Sequence, residues 1–395
     1  MRISLTEDAS AGAGGHGRVA PVTKGEEQAF HDVLERRLAR IAEETSLRAA
    51  TRAARGLFPV DVKEWFLTHR GHKFLEPEEG GRAAVPDYRP ELHILDGEWY
   101  FTRNTSERLA NMLGAEPSLL LGAPTVAACL PGSGSVLVDR SPFIRDRFPA
   151  LATAWIREDV SGVRLVNRFR NVLLDPPWNL SELFTWVRRA TQALEQGGLL
   201  LLPLLGECTR PGADRQRAAL LEYLAAAGRL EVQPDAIEYD VPLFEQRTLI
   251  AAGAAVDGPW RRADLVRLRV DRPLRASPLP GETDPFAGDW ESFLIGTQVV
   301  KVRRAPPALA MDPPIAPVPM TNGYTLRHLS RRLIDGSRID IWTSRNAVGK
   351  VLDHALVRAV LEALQGDEAG LSRRVRAVRA QRGDAAREIL RLLEF

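Results

Sequence analysis

Apolar residues recur at three- and four-residue steps early in the chain. Phe30, Val33, Leu34, Leu38 and Ile41 fall on one side of a helix, within a helical pattern over residues 26–70. Pro59 is expected to end that stretch, and VKEWFLTHRGHKFL begins another short helix. The segment 76–92, rich in Gly, Pro and Glu, reads as a linker or long loop. The next 150 or so residues alternate short, near-continuous apolar runs with amphipathic stretches. NTSERLANMLG (104–114) predicts a helix, capped at Asn104 or Thr105 with Glu107 behind it. SLLLGAP and SVLVD predict buried strands, with helical TVAACL and a Pro-Gly-Ser-Gly turn between them. PFIRDRFPALATA predicts a helical or irregular crossover. VRLVNR, FRNVLLD, ELFTWVRRATQALEQ, GGLLLLPLL, RQRAALLEYLAA, LEVQP and FEQRTLIAAG continue the alternation. Apolar strands alternating with helices predict a parallel sheet covered on both faces.

From about residue 255 the pattern changes. Residues 271–325 are proline-rich and lack periodicity. DWESFLIGTQVVKVRR (289–304) predicts a strand pair and SRIDIWTS (337–344) another strand. Two helices, NAVGKVLDHALVRAVLEAL and SRRVRAVRAQRGDAAREILRLLEF, then close the chain. The expected organisation is a disordered leader at 1–25, a helical N-terminal extension at 26–94, a Rossmann-like α/β domain at 95–255, and an α+β C-terminal region at 256–395. The role of that last region is open, with substrate recognition one possibility.

Composition narrows this picture only slightly. The 395 residues are 45% hydrophobic and 26% charged, the proportions of a soluble globular protein. The longest apolar run, Gly198 to Gly206, is far shorter than the roughly 20 residues of a membrane span. No signal-peptide pattern is present, so a cytoplasmic protein without membrane contact is expected. Two cysteines, Cys129 and Cys208, make neither a disulfide framework nor a zinc site, and no metal is expected. Cys129 is expected to be a buried small hydrophobe. Net charge is only +2, but 48 of the 53 basic residues are arginine. Guanidinium suits phosphate pairing, so nucleic acid is a permissible partner. A GC-rich bacterial genome explains the same skew.

One tetrapeptide carries chemistry: Asp175-Pro176-Pro177-Trp178, directly after the apolar run NVLL. A carboxylate at the carboxyl end of a buried parallel strand sits where open α/β sheets bind ligands. The prolines stiffen the turn and leave carbonyls able to accept hydrogen bonds from an amine. Trp178 offers a flat apolar face to a planar group.

This element resembles the catalytic loop of class I S-adenosylmethionine (SAM)-dependent N-methyltransferases, and its Trp form resembles the adenine-N6 enzymes of the MT-A70 group. Residues 99–253 further resemble the probable N6-adenine methyltransferases, a family that includes elongation-factor lysine methyltransferases. WYFTRNTSERLA matches that family's aromatic strand and Thr-containing helix. LLLGAPTVAACL matches its first strand and Pro-Ser turn, and SVLVDRSPF and REDV its acidic positions. The resemblance implies SAM as cofactor. It implies that Phe101, Thr102 and Thr105 flank the methionine end, with Gly122, Ala123, Pro124 and Thr125 forming the turn beneath it. Asp139 would bind the ribose hydroxyls, Asp159 would lie near the adenine amine, and Asp175 to Trp178 would hold the nitrogen to be methylated. Adenine N6 in DNA or RNA is the leading acceptor, and protein lysine the alternative.

Plainer accounts stand beside these. Asp175 could cap a helix starting near Ser181, Asp139 could pair with Arg140 or Arg145, and Asp159 could be a solvated loop acid. The C-terminal arginines, with Arg303, Arg304, Arg327, Arg331 and Arg332, could contact phosphate or simply form a solvated face. Gly122 is the first strand's only glycine, so a catalytically silent methyltransferase fold used as a binding module is the third reading.

Overall fold

The computed structural model describes residues 24–71 apart from 45, and 87–274 apart from 132–133, 164, 166–168 and 257. It also describes 290–304, 314–318, 321–326 and 339–395. Residues 1–23 of the expected leader, most of the linker, most of VRLVNR and much of the proline-rich stretch lie outside the described residues, whereas Lys24 and Gly25, also assigned to the leader, open the first helix. Two compact units are formed, each from separated segments. The first comprises Met1–Ala83, Tyr100–Asp240 and Val256–Glu282, and the second Ala84–Trp99, Val241–Ala255 and Thr283–Phe395.

The first unit holds a seven-stranded sheet: β1 (Ser118–Leu121), β2 (Val136–Val138), β3 (Ala154–Ile156), β4 (Phe169–Leu174), β5 (Leu194–Leu205), β6 (Gly228–Glu238) and β7 (Arg262–Val270). Their order is β3-β2-β1-β4-β5-β7-β6. The pairings from β3 to β5 are parallel, and β7 runs antiparallel to both β5 and β6. This is the expected Rossmann-like sheet, parallel from β3 to β5 with antiparallel strands beyond. Its strand β7 comes from beyond residue 255, in the segment read from sequence as C-terminal region. Alternation along RADLVRLRV marks that strand, and only the sheet shows where it inserts.

Strands β1 and β4 lie at the centre, and the halves that lead to their carboxyl ends, Leu119–Leu121 and Val172–Leu174, are continuously apolar. All four residues of β1 are buried, as are five of the six in β4. Helices α1 (Lys24–Ala39), α2 (Leu47–Ala53) and α3 (Pro59–Arg70) pack around Leu38, Leu57, Val62 and Phe66. Pro59 begins α3 and does not merely end the preceding helix, since its fixed φ and missing N–H suit a first helical position.

Helix α4 (Arg103–Leu113) precedes β1, and α5 (Pro124–Cys129), α6 (Ile144–Arg147), α7 (Leu180–Ala193) and α8 (Ala213–Ala225) lie between later strands. The cap of α4 is Thr102, one helical register earlier than Asn104 or Thr105: its side chain accepts from the Thr105 amide. Helix α7 buries Leu180, Leu183, Phe184, Val187 and Ala190, one stripe at helical spacing. Cys129, expected buried, is exposed at the end of α5, because that helix stops after six residues.

In the second unit, α9 (Leu243–Ala251) accompanies β8 (Trp290–Ile295), β9 (Gln298–Arg303), β10 (Ile315–Ala316), β11 (Thr321–Asn322), β12 (Thr325–Leu326), β13 (Ile341–Thr343) and β14 (Val348–Val351). Five of these strands form an antiparallel sheet ordered β10-β14-β13-β9-β8. The expected strand pair is the β8–β9 hairpin, turning at Gly296, whose φ is +64°. The start of the expected NAVGKV helix is instead β14, which pairs with β13. Helix α10 (His354–Leu364) follows, capped by Asp353. The last predicted helix divides at Gly383 into α11 (Leu371–Arg382) and α12 (Arg387–Leu392). Val357, Val360, Leu361, Ile389 and Leu390 join the sheet in one core.

Gly228 shows how closely β6 and β7 approach. A Cβ there would lie 1.9 Å from the Arg269 carbonyl oxygen, a backbone atom that cannot swing aside. Gly228→Ala should therefore destabilise the chain by about 3 kcal/mol, measurable by urea denaturation. An unchanged midpoint would contradict the pairing.

Candidate active site

The site lies at the carboxyl ends of β1 and β4. Register pairs Leu121 with Leu174, so Gly122 and Asp175 leave the sheet side by side. The Asp175 amide donates to the Leu121 carbonyl at 2.9 Å, extending the ladder by one residue. To one side β1 is flanked by β2 and to the other by β4, so the chain winds away in both directions and this end is the switch point of the sheet, where open α/β sheets bind ligands.

The loop after Asp175 is tied down on its own. The Pro177 carbonyl accepts from the Asn179 amide at 2.8 Å, and the Trp178 carbonyl accepts from the Arg210 guanidinium. Of the two proline carbonyls expected to face an amine, that of Pro177 is thus engaged within the loop. Asn179, not Asp175, caps α7: its side chain accepts from the Glu182 amide at 2.9 Å. The plain capping account of Asp175 is thereby removed.

Asp175 meets a residue that sequence reading missed. The Tyr239 hydroxyl donates to Asp175 Oδ1 at 2.8 Å. Tyr239 follows β6, and its bridge to Phe101 brings it over the end of β4. Its ring lies 5.0 Å from that of Phe101 and 5.7 Å, edge to face, from that of Trp178. The Arg261 guanidinium sits 5.7 Å from the centre of the Trp178 ring. Burial pushes the Asp175 carboxyl up to about 8, and the Tyr239 hydrogen bond pulls the other way. No cation contributes to that shift. The only sequence signal for Tyr239 was an aromatic just after a strand, two strands later in the chain than β4.

The other expected residues divide. Phe101 is buried beneath Tyr239. Thr102 and Thr105 bond to each other at 3.1 Å, and Thr105 also accepts from the Glu238 amide, so both have structural work at the start of α4. Gly122 has φ +66°, and a Cβ there would lie 2.9 Å from the Trp186 ring. Its absent side chain therefore serves α7 packing directly. Ala123 and Pro124 form the turn into α5, with Pro124 in its first turn. Thr125 is buried, and its hydroxyl has no hydrogen-bond partner among the described residues. A buried hydroxyl without a partner is a group to be satisfied by a bound molecule or water. With that hydroxyl and an acid at the end of β2, the turn fits the polar groups of a SAM-like cofactor. Asp139 closes β2, and its Oδ1 accepts from the Ser141 amide at 2.8 Å. Asp159, half-exposed, accepts from Ser161 N and Oγ and pairs with Arg140 at 3.4 Å.

The arginines are partly committed elsewhere. Arg303 stacks on Trp290 and donates to the Ile339 carbonyl, and Arg374 donates to the Leu364 and Ala369 carbonyls beyond α10. Arg373, Arg376, Arg379 and Arg382 remain exposed along α11. Arg327, Arg331 and Arg332 lie outside the described residues. Among the described residues, no group of three His, Cys, Asp or Glu is placed to hold a metal, and no helix is long and apolar enough to cross a membrane.

No protein-family model matches the chain, and no curated protein sequence matches it. Solved structures do. The branched-chain polyamine synthase of Thermus thermophilus, in complex with N4-aminopropylspermidine and 5'-methylthioadenosine, is 18% identical with a TM-score of 0.47. That alignment covers 67% of this chain and 97% of the synthase. The N-methyltransferase NodS of Bradyrhizobium japonicum WM9, in complex with S-adenosyl-L-homocysteine, is 14% identical over 42% of this chain and 85% of its own, with a TM-score of 0.29. TrmN of Thermus thermophilus is 19% identical over 42% and 48%, with a TM-score of 0.27. Likenesses at these scores assign no chemistry to this chain.

The raised Asp175 carboxyl has a consequence for stability. Folded, it keeps its proton up to about pH 8; unfolded, it loses it near pH 4. Between those values the folded state binds the extra proton, so stability falls as pH rises through this window. Asp175→Asn should remove that slope, leaving the variant at least as stable as the parent at pH 8.5 and not at pH 4. Urea denaturation across that range checks it, and parallel curves would contradict burial of the carboxyl.

Proposed function

We propose that the chain is a SAM-dependent N-methyltransferase. The single observation that carries this reading is Asp175: a largely buried carboxyl at the switch point of the sheet, held by a tyrosine and met by no cation among the described residues. Such a group is completed by a ligand bearing N–H bonds. When bound, SAM supplies an electrophilic sulfonium methyl. Asp139 would hold the ribose hydroxyls, with Asp159 toward the adenine amine. Phe101, Thr102, Thr105 and the turn Gly122 to Thr125 would hold the methionine end. Asp175 Oδ2 and the Pro176 carbonyl accept the acceptor's N–H hydrogens, which favours a pyramidal nitrogen and stabilises the positive charge that develops on it. The stiff loop fixes these acceptors, so little reorganisation accompanies transfer.

The acceptor read from Asp-Pro-Pro-Trp is adenine N6 in DNA or RNA, and the partner is then nucleic acid. One observation favours the second reading, an aliphatic amine such as protein lysine. The Trp178 ring is already engaged by Tyr239 and Arg261, and an aliphatic amine, unlike a planar base, needs no free stacking face. A catalytically silent binding module would share the fold without the transfer.

Incubation with methyl-labelled SAM and mixed cell extract, followed by nuclease or protease, separates the readings. Label released by nuclease supports adenine, label released by protease supports lysine, and no transfer with SAM bound supports the silent module. Asp175→Ala should abolish transfer, by about a thousandfold or more, while leaving SAM affinity within about twofold. Asp139→Ala should instead weaken SAM binding by about tenfold, as loss of a charge-assisted hydrogen bond predicts, measured by calorimetry. Full activity in Asp175→Ala would overturn the assignment.

A further inference from the structure

We propose that Tyr239 is a positioning residue for Asp175, one that holds Oδ1 so that Oδ2 is the oxygen offered to the acceptor nitrogen. The inference rests on the N-methyltransferase reading and extends it to a residue outside the Asp-Pro-Pro-Trp loop. Tyr239 is 2% exposed, and its backbone is fixed from both sides. Its amide donates to the Arg261 carbonyl at 3.1 Å, and it bridges Phe101. Flanked by the rings of Phe101 and Trp178, the phenol has one place to send its hydroxyl, Asp175 Oδ1 at 2.8 Å.

A hydroxyl has a single proton to donate, so this bond distinguishes two otherwise equivalent carboxylate oxygens. Without it the Asp175 carboxyl is free to turn about its last bond, a broad and soft rotation. The groups acting on the pair are few. From the end of β6 comes Tyr239 itself, and from the start of β7 comes Arg261, whose charge favours the ionised tyrosine. Within the loop Trp178 acts on the Tyr239 hydroxyl as a hydrogen-bond partner, while Arg210 is directed to the Trp178 carbonyl. Burial holds the Tyr239 hydroxyl well above its ordinary range. It therefore stays a donor throughout the working pH range and takes no proton from the acceptor.

Tyr239→Phe keeps the ring between its neighbours and deletes only the donor. With SAM and the methyl acceptor found for the parent protein, kcat should fall by about tenfold, the worth of one hydrogen bond to a charged group, with KM for SAM unchanged. Loss of the donor also removes the one contribution that lowers the Asp175 carboxyl. The rising limb of activity against pH should therefore move to higher pH. The same upward movement should appear in the carboxyl NMR titration of Asp175 without any substrate. That titration is read whether or not transfer is detected, so it separates failure of this proposal from failure of the N-methyltransferase reading. A titration identical to the parent's overturns the positioning role. So does lower activity with an unmoved pH limb, which would make Tyr239 a packing residue only. Trp178→Phe, which retains a ring against Tyr239, should leave the Asp175 titration much closer to the parent's.

Discussion

The parallel pairing of β1 with β4 is the constraint on which the site depends. It brings Leu121 and Leu174 into register and delivers Gly122 and Asp175 to one edge of the sheet. Towards their carboxyl ends both strands are apolar on both faces, Leu119–Leu121 and Val172–Leu174, as a sheet covered on each side requires. A carboxylate one residue earlier would be buried within the ladder, and one residue later it would lie in the stiff loop. At its actual position it retains some solvent while most of its surroundings are protein. The protein that surrounds it is what raises its affinity for a proton.

Around this edge the structure uses polar groups sparingly. The Asn179 cap and the Arg210 contact secure the loop without touching the Asp175 carboxyl. Tyr239 touches it once and brings no charge. A neighbouring arginine would have neutralised the carboxylate and made it inert toward an amine. Here the neutralising group is left for a ligand to provide, and the folded state is less stable at neutral pH as a result. Gly122 contributes differently. Its missing Cβ admits the Trp186 ring, which packs α7 against the end of β1.

The doubly wound sheet was legible because its signals are local. Continuous apolar strands, amphipathic stripes and a strand-end Asp-Pro-Pro-Trp each occupy a few residues. The same holds for the β8–β9 hairpin, whose alternation brackets Gly296. Errors came where a local signal admits two outcomes. Pro59 suits the end of one helix and the first turn of the next, and the structure uses it for the latter. NAVGKV carries helix-compatible residues, yet pairing with β13 makes it a strand. Cys129 fits an apolar helix, but six residues do not carry it beneath the surface.

The sequence by itself determined which carboxyl stands at a strand end and that two prolines follow it, because covalent order fixes both. It also determined that the chain alternates strand and helix, through the periodicity of its apolar residues. Only the tertiary structure decided what surrounds that carboxyl. Tyr239 lies 64 positions from Asp175 and is held against it beyond the end of β6 by its bridge to Phe101 and its bond to Arg261. Pairing of this kind is set by long-range packing, which leaves no mark at either residue. The chemistry was written locally, and its electrostatic setting was not.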